Sequence, residues 1–165
     1  MAERDLSREE RGLFNPAFTA LVCARAVQGY EKQYRSACPL PVAVTAAVMA
    51  LQPSIRTALP ATTRTGLMGW LDENEAVRVA MGLNAAALAG VVRPGLLFAL
   101  QSDVLRLQGS GLTVKPRAVT ALKDGPEQTT AIQKAAHQLG RWLPSTGSIS
   151  TVLTLLGVNT VALGP

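Results

Sequence analysis

The sequence predicts a mainly α protein: a helical domain holding a winged-helix-like unit of three helices plus a β-hairpin, with further helices at the C-terminal end. Three observations carry that expectation. Apolar residues recur at helical spacing along most of the chain. Asparagine and proline mark the starts of these stretches, and glycine marks several ends. Between Val104 and Lys115 the period switches to alternation on either side of Gly109-Ser-Gly111, which is a hairpin signal.

Ser7-Arg-Glu-Glu10 fits a capping box and predicts a short helix or turn ending at Gly12. Asn15-Pro16 is a stronger start, with Asn as N-cap and Pro at the first helical position, where its missing N–H costs nothing. That helix runs to about Tyr34. Phe18, Leu21, Val22, Ala26 and Tyr30 form its apolar stripe, and Arg25, Glu31, Lys32 and Arg35 face outward. Pro39 and Pro41 open an apolar helix through Leu51, hydrophobic nearly all round as a central helix is. Pro53 starts a turn of helix over 54–59 and Pro60 stops it. Thr62 or Thr63 then caps a helix containing Leu67, Met68, Trp70 and Leu71, and residues 72–74 punctuate. A helix from 75 to about 89 follows, its acidic start favourable to the helix dipole, and Gly90 closes it. Arg93-Pro94 opens another helix, to about 102. After the hairpin come helices over 128–143 and 148–156, the second ended by Gly157.

Three helices followed by a two-stranded hairpin is the order of a winged helix. The organisation implied is an N-terminal arm (1–14), a helical part (15–60), a winged-helix-like unit (61–118) with its hairpin near 103–116, a C-terminal helical part (119–158) and a tail (159–165). A chain of 165 residues fits one compact domain and buries enough surface to need neither disulfide nor metal. Cys23 and Cys38 make no disulfide framework and read as reduced core thiols. No apolar run is expected to reach the roughly 18–20 residues that span a bilayer, and no signal-type segment opens the chain. The sequence is therefore read as cytoplasmic, with no membrane partner. The net charge of +5 is spread as isolated arginines among apolar residues, with no basic run, so it permits nucleic-acid contact without indicating it.

No catalytic set assembles from the sequence. His137 has no evident acid or nucleophile partner, and Ser148 and Ser150 lack a nucleophile-elbow context. Asp72, Glu73 and Glu75 stand at a helix junction, where capping and dipole effects alone place acids. Two cysteines and one distant histidine are a poor ligand supply for zinc. No cofactor is expected. Trp70 and Trp142 read as core anchors. Arg56 with Thr62-Thr-Arg64-Thr65, where a loop enters a helix, suggests an anion contact; ordinary capping with surface arginines explains the same residues better. As a DNA reader, the third helix is unpromising, since Gln101 is its only long polar side chain besides Arg93 at its start.

Several pieces in order resemble a known family. They are Leu13-Phe-Asn-Pro-Ala-Phe18, the proline-bounded helix through Leu51, Leu59-Pro60-Ala-Thr-Thr-Arg-Thr65 and Trp70-Leu71. Leu96-Leu-Phe-Ala-Leu100 with the hairpin, Leu139-Gly-Arg-Trp142 and Leu155-Leu-Gly-Val158 complete the set. The order is similar to the middle component of bacterial three-component ABC-ATPase systems, the Lamassu-like defence systems, from about Leu13 to Val158. Pro144 with Ser145 to Ser148 departs from the pattern and is expected to shorten the Trp142 helix or re-aim the last one.

The resemblance implies a non-enzymatic adaptor that accompanies an SMC-like ATPase, related to Rad50 and condensin subunits, and an effector such as a nuclease. Together they would sense phage or plasmid DNA. It brings no catalytic residues with it. On this reading Leu96, Leu97 and Phe98 of the helix over 94–102 and Leu105, Leu107, Leu112 and Val114 of the wing pack against partner subunits. Arg64, Arg106, Lys115 and Arg117 are the candidates for contacts to a partner or to DNA phosphates. The competing readings are a winged-helix DNA-binding regulator and, last, a small hydrolase or transferase.

Overall fold

The computed structural model describes residues 14–120 and 125–158. The capping box at Ser7–Glu10 and the tail over 159–165 lie outside the described residues. Helix α1 (Pro16–Tyr34) begins as its sequence dictates: the Asn15 side chain accepts the Ala17 N–H at 2.9 Å, and Pro16 occupies the first turn. A two-residue strand β1 (Cys38–Pro39) leads into α2 (Leu40–Ala50), which is buried continuously from Val42 to Ala50. Its one hydroxyl in that stretch, Thr45, is satisfied by donating to the Pro41 carbonyl at 2.7 Å. A single turn, α3 (Pro53–Arg56), follows, and the Arg56 guanidinium turns back to the Ala50 carbonyl at 2.8 Å, satisfying a C-terminal group of α2.

Helix α4 (Leu67–Glu73) starts later than the threonines suggest. Its N-cap is Gly66, without a side-chain bond, while Thr62 Oγ1 accepts the Arg64 N–H in a local turn. A hydroxyl that closes a turn of its own is lost to the helix as a cap. Helix α5 (Glu75–Gln101) carries the larger difference. The helices expected over 75–89 and 94–102 are one element of 27 residues, running through Gly90 and Pro94. Pro94 deprives the Gly90 carbonyl of its helical donor. Continuity is held by a buried stripe on both sides of the proline: Val77, Met81, Ala85, Ala89, Val92, Leu96 and Ala99. Gly95 lets α5 lie against the start of α1, since a Cβ there would collide with the Thr19 hydroxyl. By length and composition α5 can also span a bilayer, with a window of mean hydropathy 1.6, which corrects the expectation that no run reaches that length. Alanines and glycines spread the apolar character too thinly to register as a run in the sequence.

The hairpin is as read: β2 (Leu105–Gln108) and β3 (Gly111–Val114) pair antiparallel, with Leu105 opposite Val114 and Leu107 opposite Leu112. Gly109 at φ +61° opens the two-residue turn, the Gly-first pattern of a type II′ connection. What the sequence missed is that β1 pairs with β3, giving a three-stranded sheet of order β1-β3-β2. The Glu31 carboxylate of α1 accepts the Val114 N–H at 2.8 Å and fastens β3 to the helices. The wing is therefore docked, not projecting.

Helix α6 (Glu127–Trp142) crosses α1 at glycines from both sides. A Cβ on Gly29 would strike the His137 carbonyl, and one on Gly140 the Ala26 carbonyl. Pro144 lies in a 3₁₀ turn (Leu143–Thr146) that follows α6. Helix α7 (Ile149–Leu155) is capped by Ser148, whose Oγ accepts the Thr151 N–H at 3.3 Å. A mainly α architecture with a hairpin and C-terminal helices stands, around one apolar cluster that draws on residues from Ala20 to Val158.

Candidate interaction surface

The seven apolar residues expected at a partner surface divide in two. Leu96, Leu105 and Leu112 are buried in this chain's own core, a correction imposed by the docking of the sheet on the helices. Val114 is half-buried. Leu97, Phe98 and Leu107 are exposed, at 56%, 43% and 69%. They have company that the sequence reading did not single out: Val79, Leu83 and Met68 are 62%, 77% and 64% exposed. The missed signal was α5 itself, where apolar residues occupy the outer face as well as the inner one.

The basic candidates are placed on different elements. Arg106 makes a bidentate pair with Asp103, Nε to Oδ1 at 2.8 Å and Nη2 to Oδ2 at 3.0 Å, and Lys115 Nζ reaches Oδ2 at 3.4 Å. Asp103, in left-handed backbone at φ 60° where the chain leaves α5, thus gathers both cations of the hairpin. The hydrogen bonds from Arg106 and Lys115 and the charges of those cations bring its carboxyl down to about 2. The trio is exposed, so its worth to stability is small. Arg117 is exposed beyond the hairpin at φ 64°. Arg64 is exposed in the loop between α3 and α4.

That loop is pinned by indole groups. Trp70 Nε1 donates to the Ala58 carbonyl at 2.7 Å and Trp142 Nε1 to the Thr65 carbonyl at 2.8 Å, with the two rings edge to face at 5.0 Å. Gln138 Nε2 also donates to the Pro60 carbonyl. With Arg56 engaged by Ala50, and with Thr62 and Thr63 five and four residues ahead of the α4 start, these residues do not form a helix-terminal anion site. The expected third helix of a helix-turn-helix is the last part of α5, continuous with what precedes it and presenting Leu97, Phe98 and Gln101 to solvent.

The remaining reactive groups are muted. Burial pushes the Cys23 and Cys38 thiols up to about 12, so neither is a thiolate at neutral pH. Burial, and then the charges of Arg25, Lys32 and Arg141, bring His137 down to about 4. Among the described residues no three His, Cys, Asp or Glu side chains come together as a metal site would require. An open depression of about 640 Å³ lies between α3 and α6, lined by Arg56, Leu59, Glu127, Lys134 and Gln138 among others.

No curated protein and no solved structure matches the chain. A family model does, over residues 3–160. It spans every described element, from the Asn15 cap to the end of α7, and its members are the middle components of three-component ABC systems. The chain belongs to the family of ABC-three component (ABC-3C) system Middle Component 3 proteins.

Proposed function

We propose that this protein is a non-catalytic, cytoplasmic adaptor that bridges an SMC/Rad50-like ABC ATPase and an effector, such as a nuclease, in an anti-phage or anti-plasmid defence complex of the Lamassu type. The observation that carries the reading is membership of a middle-component family, which implies protein partners. The exposed apolar side chains Met68, Phe98 and Leu107 support it, because large apolar groups left on a surface are available for association. DNA reaches the complex through the ATPase on this reading, and the exposed Arg106 and Lys115, drawn together by Asp103, face a partner subunit.

Affinity purification of the tagged protein from its host, washed at moderate and then high salt, tests this. Retention of a large coiled-coil ATPase through high salt is the expected result. Recovery of DNA alone, removed by salt, would transfer the function to a winged-helix DNA-binding regulator. Reversing the charge of Arg106 and Lys115 is expected to weaken capture of the partners. Unchanged assembly together with unchanged DNA affinity would strike both residues from the interface.

A further inference from the structure

We propose that the outward face of α5 is a self-association surface, on which two copies of this chain pack their α5 helices antiparallel about a twofold axis at Gly90. This goes beyond the adaptor reading, which requires no second copy. The midline of the exposed face runs through Val79, Leu83, Ala86, Gly90, Pro94 and Leu97, spaced by three or four residues so that all lie on one side of the helix. The inner stripe, from Val77 to Ala99, occupies the opposite side and is consumed by the core.

The midline is symmetric about Gly90. Antiparallel superposition at that residue sets Leu83 against the partner copy's position 97, Ala86 against 94 and Val79 against 101. The spacing reads the same in both directions, as an isologous twofold contact needs, and Leu83 with Leu97 is its matched apolar pair, while Val79 meets the aliphatic stem of Gln101. Gly90 then stands where the two backbones approach most closely. Among the described residues, nothing outside its own stretch of helix lies within 4 Å of where a Cβ on Gly90 or Gly82 would be, unlike Gly29, Gly95 and Gly140. Glycine inside a helix costs roughly 0.5–1 kcal/mol against alanine, and the core offers no offsetting contact at these two positions.

Charge favours the same occupant. Asp72, Glu73 and Glu75 are exposed at the N-terminal end of α5 and outnumber Arg78 there, while Arg106, Lys115 and Arg117 on and beyond the hairpin that follows its C-terminal end outnumber the Asp103 that pairs with two of them. Antiparallel packing brings acidic ends to basic ends, whereas parallel packing would stack like on like. The midline from 79 to 101 is about 33 Å long and about 10 Å wide, some 330 Å². That falls short of the roughly 800 Å² per partner of a standard interface, so the charged ends must complete it, and the dimer is expected to be reversible and salt-sensitive.

Sedimentation velocity of the full-length protein up to about 100 µM tests this. The expected result is a concentration-dependent dimer that Leu83→Asp weakens at least about tenfold, or 1.4 kcal/mol. Leu83 is 77% exposed, so the variant should retain its helical circular dichroism. Independently, Gly90→Cys is expected to couple to itself through a short bis-maleimide, the native cysteines being buried. If Leu83→Asp fails to fold, this cross-link decides alone. A monomer throughout, a dimer indifferent to Leu83→Asp, or absence of the Gly90→Cys cross-link overturns the proposal. Capture of the ABC ATPase separates it from the adaptor reading: retained capture by a monomeric Leu83→Asp supports self-association, while capture lost in Leu83→Asp when the wild-type chain is itself monomeric gives the face to the ATPase.

Discussion

His137 is the chain's single histidine, and its surroundings set a pH dependence. With its pKa brought to about 4 in the fold, it stays neutral where an unfolded chain, with His near 6.5, has begun to take up a proton. Stability is therefore fully present above about pH 6.5 and falls as the pH drops toward 4. The loss is about 1–2 kcal/mol once the partial solvent exposure of the ring is allowed for. Denaturant titrations across that range should show the decline, and His137→Gln should flatten it. The sequence placed this residue on a helix without a partner. The three cations that depress it come from α1 as well as α6, and only the crossing of those helices brings them together. Glycines separate the same way. Gly29→Ala or Gly140→Ala should cost at least about 2–3 kcal/mol, because a methyl meets backbone. Gly82→Ala should stabilise by roughly 0.5–1 kcal/mol, and a loss of Tm in that variant would contradict the open space around it.

Among the elements, those whose ends are written in local chemistry were legible to within a residue or two: α1 from Asn15-Pro16, the hairpin from Gly109, α7 from Ser148. Helix α5 was misread as two because Gly90 and Pro94 are breakers by propensity, and propensity yields to a stripe of seven buried side chains. Pro94→Ala restores the donor for the Gly90 carbonyl at an exposed position. It should raise stability by about 1–3 kcal/mol, measured as an increase in Tm. Trp142→Phe removes the hydrogen bond to Thr65 and should cost about 1–2 kcal/mol, with faster proteolysis in the loop between α3 and α4 as the second readout. The cap of α4 was misplaced for a reason internal to the loop: its threonine closes a local turn while the two indoles hold the loop from the other side.

At the scale of the molecule, one apolar cluster joins α1, α2, α5, α6, α7 and the sheet. Unfolding should therefore be a single transition, coincident by circular dichroism and by tryptophan fluorescence; two separated transitions would mean that the hairpin or the C-terminal helices are held independently. The apolar surplus that remains on α5, at Phe98 and at Leu107 is what a subunit of a larger assembly carries. Membership of the middle-component family gives that surplus a context.

The sequence by itself determined the mainly α class, the order of its helices, the hairpin and, through short ordered motifs, the family. These follow from periodicity and from cap and turn chemistry, which act over a few residues. The tertiary structure decided which apolar residues are surface and which are core. Leu105 and Leu97 have the same chemistry, yet one is sealed beneath the sheet and the other faces solvent. That choice depends on contacts between residues far apart in the chain, Cys38 with Leu112 and Gly29 with His137, and no local pattern encodes them.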